Sequence, residues 1–307
     1  MESAFLAWLR QRLPADVRLR LGPGDDAAVL RLGDGAECVA TVDVLTDRVD
    51  FDLRRDDPRR VGRKALAVNL SDLAALAARP TAALIGLVLP REGGLRLAQE
   101  LYEGLLPLAD EFGVAIAGGD TNAWDGPLAV SITLLGETTS RGPLVRSGAR
   151  AGDRILVTGA FGGSILGRHF DFQPRVAEAL LLHARYELHA GIDVSDGLSL
   201  DLGRLCDESD CGAVLQAAHV PVHADALRLA AERDDGRSSL EHALSDGEDF
   251  ELILAVPPVA AAQLLAERPL SVSLTDIGEF VAERGLWMED AAGRRPLARR
   301  GWEHDFS

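Results

Sequence analysis

Nine acidic residues occupy places where the surrounding pattern is apolar or glycine-rich. Asp25 and Asp26 follow the glycines of "LGPGDDAAVL". Asp43 ends the apolar run "CVATVD". Asp72 lies inside "ALAVNLSDLAAL", Asp120 follows "AIAGG", Asp193 and Asp196 flank "DVSDGL", and Glu248 and Asp249 precede "FELILAV". Each alone is an ordinary turn or helix-cap residue. Their recurrence where strands or Gly-Gly turns end is the stronger signal, because α/β sheets place ligand sites there. Two carboxylates about 4 Å apart repel by roughly 4 kcal/mol at an effective dielectric near 20, so several together require cations. Oxygen ligands without clustered His or Cys favour Mg²⁺ or Mn²⁺, commonly completed by substrate phosphates. The glycine turns offer backbone N–H groups to those phosphates. The chemistry implied is Mg²⁺-dependent phosphoryl transfer, which needs positioning and charge neutralisation more than a covalent nucleophile.

Asp72 is the hardest to dismiss. Lys64, Val68 and Asp72 are spaced four apart and share one helix face, with Asn69 beside them. A polar stripe in an apolar helix implies a buried polar site, since a buried unpaired charge is costly. Lys64 is also the single lysine among 32 basic residues; the rest are arginine. A chance survivor on a solvated face is the simpler expectation. A site that needs a compact point charge is the alternative.

These residues need elements to hold them. "AAVLRL" and "ECVATVD" read as consecutive strands. "DPRRVGRKALAVNLSDLAALAARP" reads as a helix with Pro58 near its start and Pro80 ending it. "TAALIGLVLP" is a buried strand, "GLRLAQELYEGLLPLADEF" a helix, "GVAIAGG" a short buried strand and "PLAVSITLLGE" another strand. The polar stretch "TTSRGPLVRSGARAGD" then marks a boundary, dividing the chain into domains 1–138 and 139–307. Strands follow at "RILVTG", "CGAVLQ", "FELILAVP", "VSLTDIGEF" and "GLWMED". Helices are expected through "RVAEALLLHARYELHA", "ADALRLAAERD" and "PVAAAQLLAERP". In "GIDVSDGLSLDLGRLCDESD" a strand turns directly into a helix. The fold class is therefore α/β of the α+β type, with two domains, each a mixed sheet packed with helices.

The 307 residues carry a net charge of −16, which argues against a nucleic-acid partner. No apolar run approaches the roughly 20 residues of a membrane span. "MESAFLAWLRQRLP" reads as an amphipathic helix rather than a signal. The odd set Cys38, Cys206 and Cys211 lacks zinc-type spacing and fits reduced thiols in the cytoplasm. Walker, G-x-S-x-G and kinase signatures are missing, and the seven histidines do not cluster, which leaves them surface or structural roles.

With those residues in view, "GPGDDAAV", "TVDVLTDRVDF", "KALAVNLSDLAAL", "AGGDT", "VRSGARAGD", "IDVSDGLSLDLGRL", "DGEDFEL" and "GWEHDF" resemble, in order, the motifs of the thiamine-monophosphate kinase family. That family lies within the aminoimidazole-ribonucleotide synthetase and selenophosphate synthetase superfamily. The resemblance implies direct transfer from ATP to thiamine monophosphate, giving thiamine diphosphate, with several Mg²⁺ ions between them. It also implies a homodimer whose N-terminal sheets pair into a shared barrel, with the active site in the cleft between domains.

Carried onto this chain, the resemblance makes Asp25, Asp26, Asp43, Asp72, Asp120, Asp193 and Asp196 the metal ligands. Asp72, Asp120 and Arg146 become the catalytic set. Gly119, Asp120, Arg146, Ser195 and Tyr102 contact ATP, and Asp50, Glu248 and Trp302 meet the thiamine part. Lys64 matches the family's helix lysine. Four departures stand out. Val42 replaces a Thr or Ser expected to give a metal an oxygen, and Asp50 replaces a histidine that contacts substrate. Asp246 alters the "G-G-E-D" turn, and "ALAARP" replaces a glycine-containing stretch. The segment between "VTGAFGG" and "GIDVSDG" is also shorter than usual. Two alternatives follow: a phosphotransferase with a different small acceptor, or a non-catalytic protein that binds nucleotide or thiamine phosphate.

Overall fold

The computed structural model describes residues 16–21, 25–32, 37–233 and 235–304. The helix expected at the N-terminus, and the ends of the "GPGDD" and "GWEHDF" motifs, lie outside the described residues. Within them, thirteen strands and eight helices form two sheets with helical layers.

In the first sheet, β1 (Leu19–Leu21), β2 (Ala28–Arg31) and β3 (Glu37–Thr46) run as an antiparallel meander. Helix α1 (Pro58–Ala75) leads to β4 (Arg79–Pro90), helix α2 (Gly94–Glu111) to β5 (Ala115–Trp124), and β6 (Ala129–Glu137) closes the order β1-β2-β3-β6-β4-β5. Because β4 and β5 are parallel, their connection has to cross over, and α2 makes the crossing. The second sheet runs β13-β12-β9-β11-β7-β10-β8. Its strands are β7 (Arg154–Thr158), β8 (Ala190–Asp193), β9 (Gly212–Gln216), β10 (Leu252–Val256), β11 (Leu274–Val281), β12 (Gly285–Asp290) and β13 (Gly293–Pro296). Between them lie α3 (Arg168–Asp171), α4 (Val176–Arg185), α5 (Leu198–Glu208), α6 (Ala224–Glu232), α7 (Ser239–Ser245) and α8 (Pro258–Glu267).

Helix α1 begins as its sequence signals: Asp57 caps Arg59 N at 2.9 Å, with Pro58 in the first turn. Its end differs from expectation. The helix stops at Ala75, Ala77 takes a left-handed φ of 49°, and Pro80 already lies in β4, beside a register shift. A strand tolerates proline at such an irregularity. Ala77 thus occupies a conformation that favours glycine, which accounts for the glycine expected in this stretch.

Buried residues cover nearly every side of α1. One core cluster takes α1, the inner face of the first sheet, and also Leu156, Phe250, Leu252, Leu254 and Val256 from the second half. The alternate residues Ile155, Val157, Ile253 and Ala255 belong to the other core, around α5. Strands β7 and β10 therefore serve two cores at once, which is why "LILAV" is apolar without alternation. Helix α2 crosses α1 at two glycines. A Cβ on Gly62 would sit 1.9 Å from Leu101 O, and one on Gly104 would sit 1.8 Å from Arg59 O.

Strand β5 corrects the expectation of a short buried strand. It is ten residues long and almost wholly exposed, because it lies at the open edge of its sheet with β4 as its sole neighbour. Small residues and glycines made it read as interior.

The two helix-end features predict opposite effects. Gly104→Ala forces the helices apart and is expected to cost at least about 3 kcal/mol. Ala77→Gly relieves the left-handed strain and is expected to add about 0.5–1 kcal/mol. Urea unfolding of both variants checks the signs.

Candidate active site

Three elements bring the central acids together. Asp26 precedes β2, Asp72 is on α1, and Asp193 ends β8. Each offers a carboxylate oxygen, and these oxygens lie within 4.8 Å of one another. Hydroxyls hold two of the three: Thr41 Oγ1 donates to Asp72 Oδ2 and Ser71 Oγ to Asp193 Oδ2, each at 2.5 Å. Arg146 grips Asp26 in a fork, from Nε at 2.9 Å and Nη2 at 2.6 Å. Such bidentate pairing fixes orientation as well as charge. Burial opposes the Arg146 charge, but Asp26, then Asp25 and Asp193, overcome that and hold its pKa above its ordinary value.

Electrostatics agree with the crowding. Burial, then Asp43, Asp193 and Asp26, push the Asp72 carboxyl well up. Burial and Asp26 do the same to Asp193. Burial, then Asp50 and Asp196, push Asp43 up to about 6, and its Oδ2 is buried without a hydrogen-bond partner. An oxygen-only donor set with an orphaned buried carboxylate oxygen fits a hard divalent cation. Thr41 and Asp43 face inward from β3, two residues apart. Val42 points to the opposite face and is 58% exposed, so the departure from the motif it resembles falls at a side chain turned away from the acids.

Asp25 does different work. Its carboxylate accepts from Arg146 N (2.9 Å) and Asp26 N (3.1 Å), tying two segments in place. Burial, with Asp26 adding, pushes it up to about 6. Asp196 accepts from Arg204 Nη1. Asp201, which the sequence reading passed over, accepts from the N–H groups of Asp196 (2.9 Å) and Gly197 (3.0 Å), so it shapes the turn into α5. Thr41 and Ser71 carry no site role in the sequence reading either. Their signal was present, since each neighbours a key acid in sequence or on the same strand face.

A cleft of about 580 Å³ opens beside the acids, lined among others by Asp43, Asp50, Lys64, Ser195, Glu248 and Trp302. Trp302 is half exposed, and its backbone N–H donates to Asp196 O at 2.9 Å. The Asp50 carboxylate accepts from Thr46 N at 2.7 Å, closing its own turn. Lys64 is not on a solvated face: it is 1% exposed and donates to Glu248 Oε1 at 2.5 Å. Burial favours a protonated Glu248, and the Lys64 ammonium beside it opposes that. Nor are the histidines all apart from the site, since buried His169 joins this contact.

Three expected residues stay apart from the group. Gly119 stands in register with Ile85, Ile132 and Asp43, three strands from Asp43, or roughly 14 Å. Asp120 follows it on the exposed edge. Tyr102, on α2, packs against the first core and does not line the cleft.

Comparison with known proteins adds independent findings. A family model for the AIR synthase related protein N-terminal domain matches residues 24–138, and one for its C-terminal domain matches residues 150–289. The chain is 44% identical to the thiamine-monophosphate kinase of Rhodopirellula baltica over 96% of this chain and 94% of that protein. It superposes on the solved structure of AaThiL complexed with AMPPCP and TMP with a TM-score of 0.84, at 26% identity, covering 99% and 97% of the two chains. The thiamine-monophosphate kinase of Stenotrophomonas maltophilia gives a TM-score of 0.73 at 32% identity, covering 93% and 96%.

The raised carboxyls set a pH dependence. Asp25 and Asp43 at about 6, and Asp201 and Asp249 at about 7, hold protons in the folded chain that the unfolded chain loses above about 3.8. Without divalent cations, the stability these four groups contribute is therefore full below about pH 3.8 and is lost as pH rises through 6 to 7. A thermal-shift series in EDTA should show a falling midpoint across that window. Added divalent cation should restore several degrees at pH 7.5 and little at pH 5.

Proposed function

The chain belongs to the thiamine-monophosphate kinases of the AIR synthase related family, and from that premise we propose that its cleft transfers the γ-phosphoryl group of ATP to thiamine monophosphate, giving thiamine diphosphate. The convergence of Asp26, Asp72 and Asp193 from both halves of the chain carries the reading. Such a group of oxygens suits magnesium, with Asp43 as a further ligand. Bound there, the metal supplies charge neutralisation to phosphate oxygens. Arg146 brings a guanidinium to the same acids and is the side chain placed to meet transferring phosphate. Glu248 and Trp302 take the thiamine part on the other side of the cleft, Trp302 by stacking on a cationic ring.

Of the departures, those at Val42 and Asp50 do not call for another acceptor or for lost catalysis. Val42 lies on the outer face, and the Asp50 carboxylate is spent on its own turn. We read residues 1–138 and 139–307 as the two domains, a division supported by the family matches at 24–138 and 150–289. The working unit is a homodimer. The outer face of the first sheet exposes Val42, Val44 and Leu84, and β5 offers an open edge, surfaces that a second copy would cover. Such pairing also gives Asp120 and Gly119 a route to an active site, that of the partner. The reaction belongs in the cytoplasm: its three cysteines are unpaired, and no helix of the described residues is long and apolar enough to cross a membrane.

Asp72→Asn is expected to lower kcat for ADP release with thiamine monophosphate by at least about 10³-fold while the chain stays folded. Turnover near the native rate would refute the assignment. If Asp120 serves across a dimer, remixing Asp72→Asn with Asp120→Asn chains should recover about a quarter of native activity. Absence of recovery in confirmed mixed dimers would place Asp120 with its own chain's site.

A further inference from the structure

Lys64, His169 and Glu248 form a buried cluster that the phosphoryl-transfer acids do not use. The Lys64 ammonium has three protons and meets three acceptors: Asp50 O at 2.8 Å, Glu248 Oε1 at 2.5 Å and His169 Nδ1 at 3.0 Å. His169 Nδ1 also lies 3.2 Å from Glu248 Oε2. One ring nitrogen cannot accept from lysine and donate to glutamate at once. While Nδ1 accepts from Lys64, Glu248 Oε2 is left without a donor from this cluster, at the wall of the cleft.

The surroundings keep this arrangement in place. Arg63 donates to Phe170 O (2.9 Å) and Phe172 O (2.7 Å), and Arg60 donates to Gly167 O (2.9 Å), so α1 holds both sides of His169. The His169 ring packs on Phe170, with centroids 4.0 Å apart. Glu248 sits at a left-handed φ of 53°, its N–H bonded to Ser195 O at 2.6 Å. Backbone strain of this kind persists where the surrounding structure over-determines it, and it gathers at ligand sites.

We infer that His169 is a positioning residue for the acceptor substrate: by completing the coordination of Lys64, it leaves Glu248 Oε2 to accept a hydrogen bond from the pyrimidine amino group of thiamine monophosphate. This inference rests on the reaction proposed above. Lysine suits the position because a compact ammonium can serve three convergent acceptors, whereas a planar guanidinium cannot.

Steady-state kinetics on the full chain provide the test. His169→Leu is expected to raise KM for thiamine monophosphate about tenfold, with kcat and KM for ATP within about twofold. His169→Asn, whose Oδ1 can replace the Nδ1 acceptor, should restore most of that loss. In the native protein, a thiamine monophosphate analogue lacking the amino group should show a similar rise in KM, a measurement independent of how the variants fold. An unchanged KM in His169→Leu, equal loss in His169→Asn, or native kinetics with the analogue would overturn the role of His169. Absence of turnover with thiamine monophosphate in the native protein would instead overturn the proposed reaction, and this inference with it.

Discussion

A helix enclosed on nearly every side has no solvent in which to place its polar residues, and α1 carries Lys64, Asn69, Ser71 and Asp72 into that enclosure. Burying such groups is unfavourable unless each finds a partner. For three of them the partners come from the rest of the fold: Thr41 from the first sheet for Asp72, Asp193 from the second for Ser71, and Glu248 from the turn before β10 for Lys64, while Asn69 Nδ2 donates to Ala65 O within the helix. The need to satisfy one helix thus draws both halves of the chain onto it, and the cleft lies where they meet.

The two kinds of charge on α1 then divide the cleft. At Asp72, acids meet acids, and burial leaves the cluster short of positive charge, which Arg146 supplies through Asp26. Two turns earlier, Lys64 holds Glu248 ionised and leaves that end of the cleft balanced. One end is made for cations and phosphate, the other for an organic molecule with a donor group. Eight residues of one helix separate them.

Much of this was legible in the sequence. Helix α1 and its start at Pro58, the strand-to-helix turn at Asp193–Leu198, and the recurrence of acids at strand ends all follow from local pattern. What was hidden depended on distant pairing. Strand β5 read as interior because its composition is small and apolar, while its exposure follows from sheet order. Val42 read as a lost ligand because sequence gives neighbours, whereas strand alternation turns it away from Asp43. Lys64 stood between a surface survivor and a site residue, and its partner Glu248 lies 184 positions later. His169 carried no local signal at all, since its meaning comes from the helix above it.

Strands β7 and β10 contribute alternate side chains to two cores, and one of those cores also contains α1 and the first sheet. The halves therefore lack the independent interfaces that a hinge requires, and opening them as rigid shells would break a continuous apolar interior. What borders the cleft apart from that shared interior is local: the turn around Val49 and Asp50, and the C-terminal segment that carries Trp302.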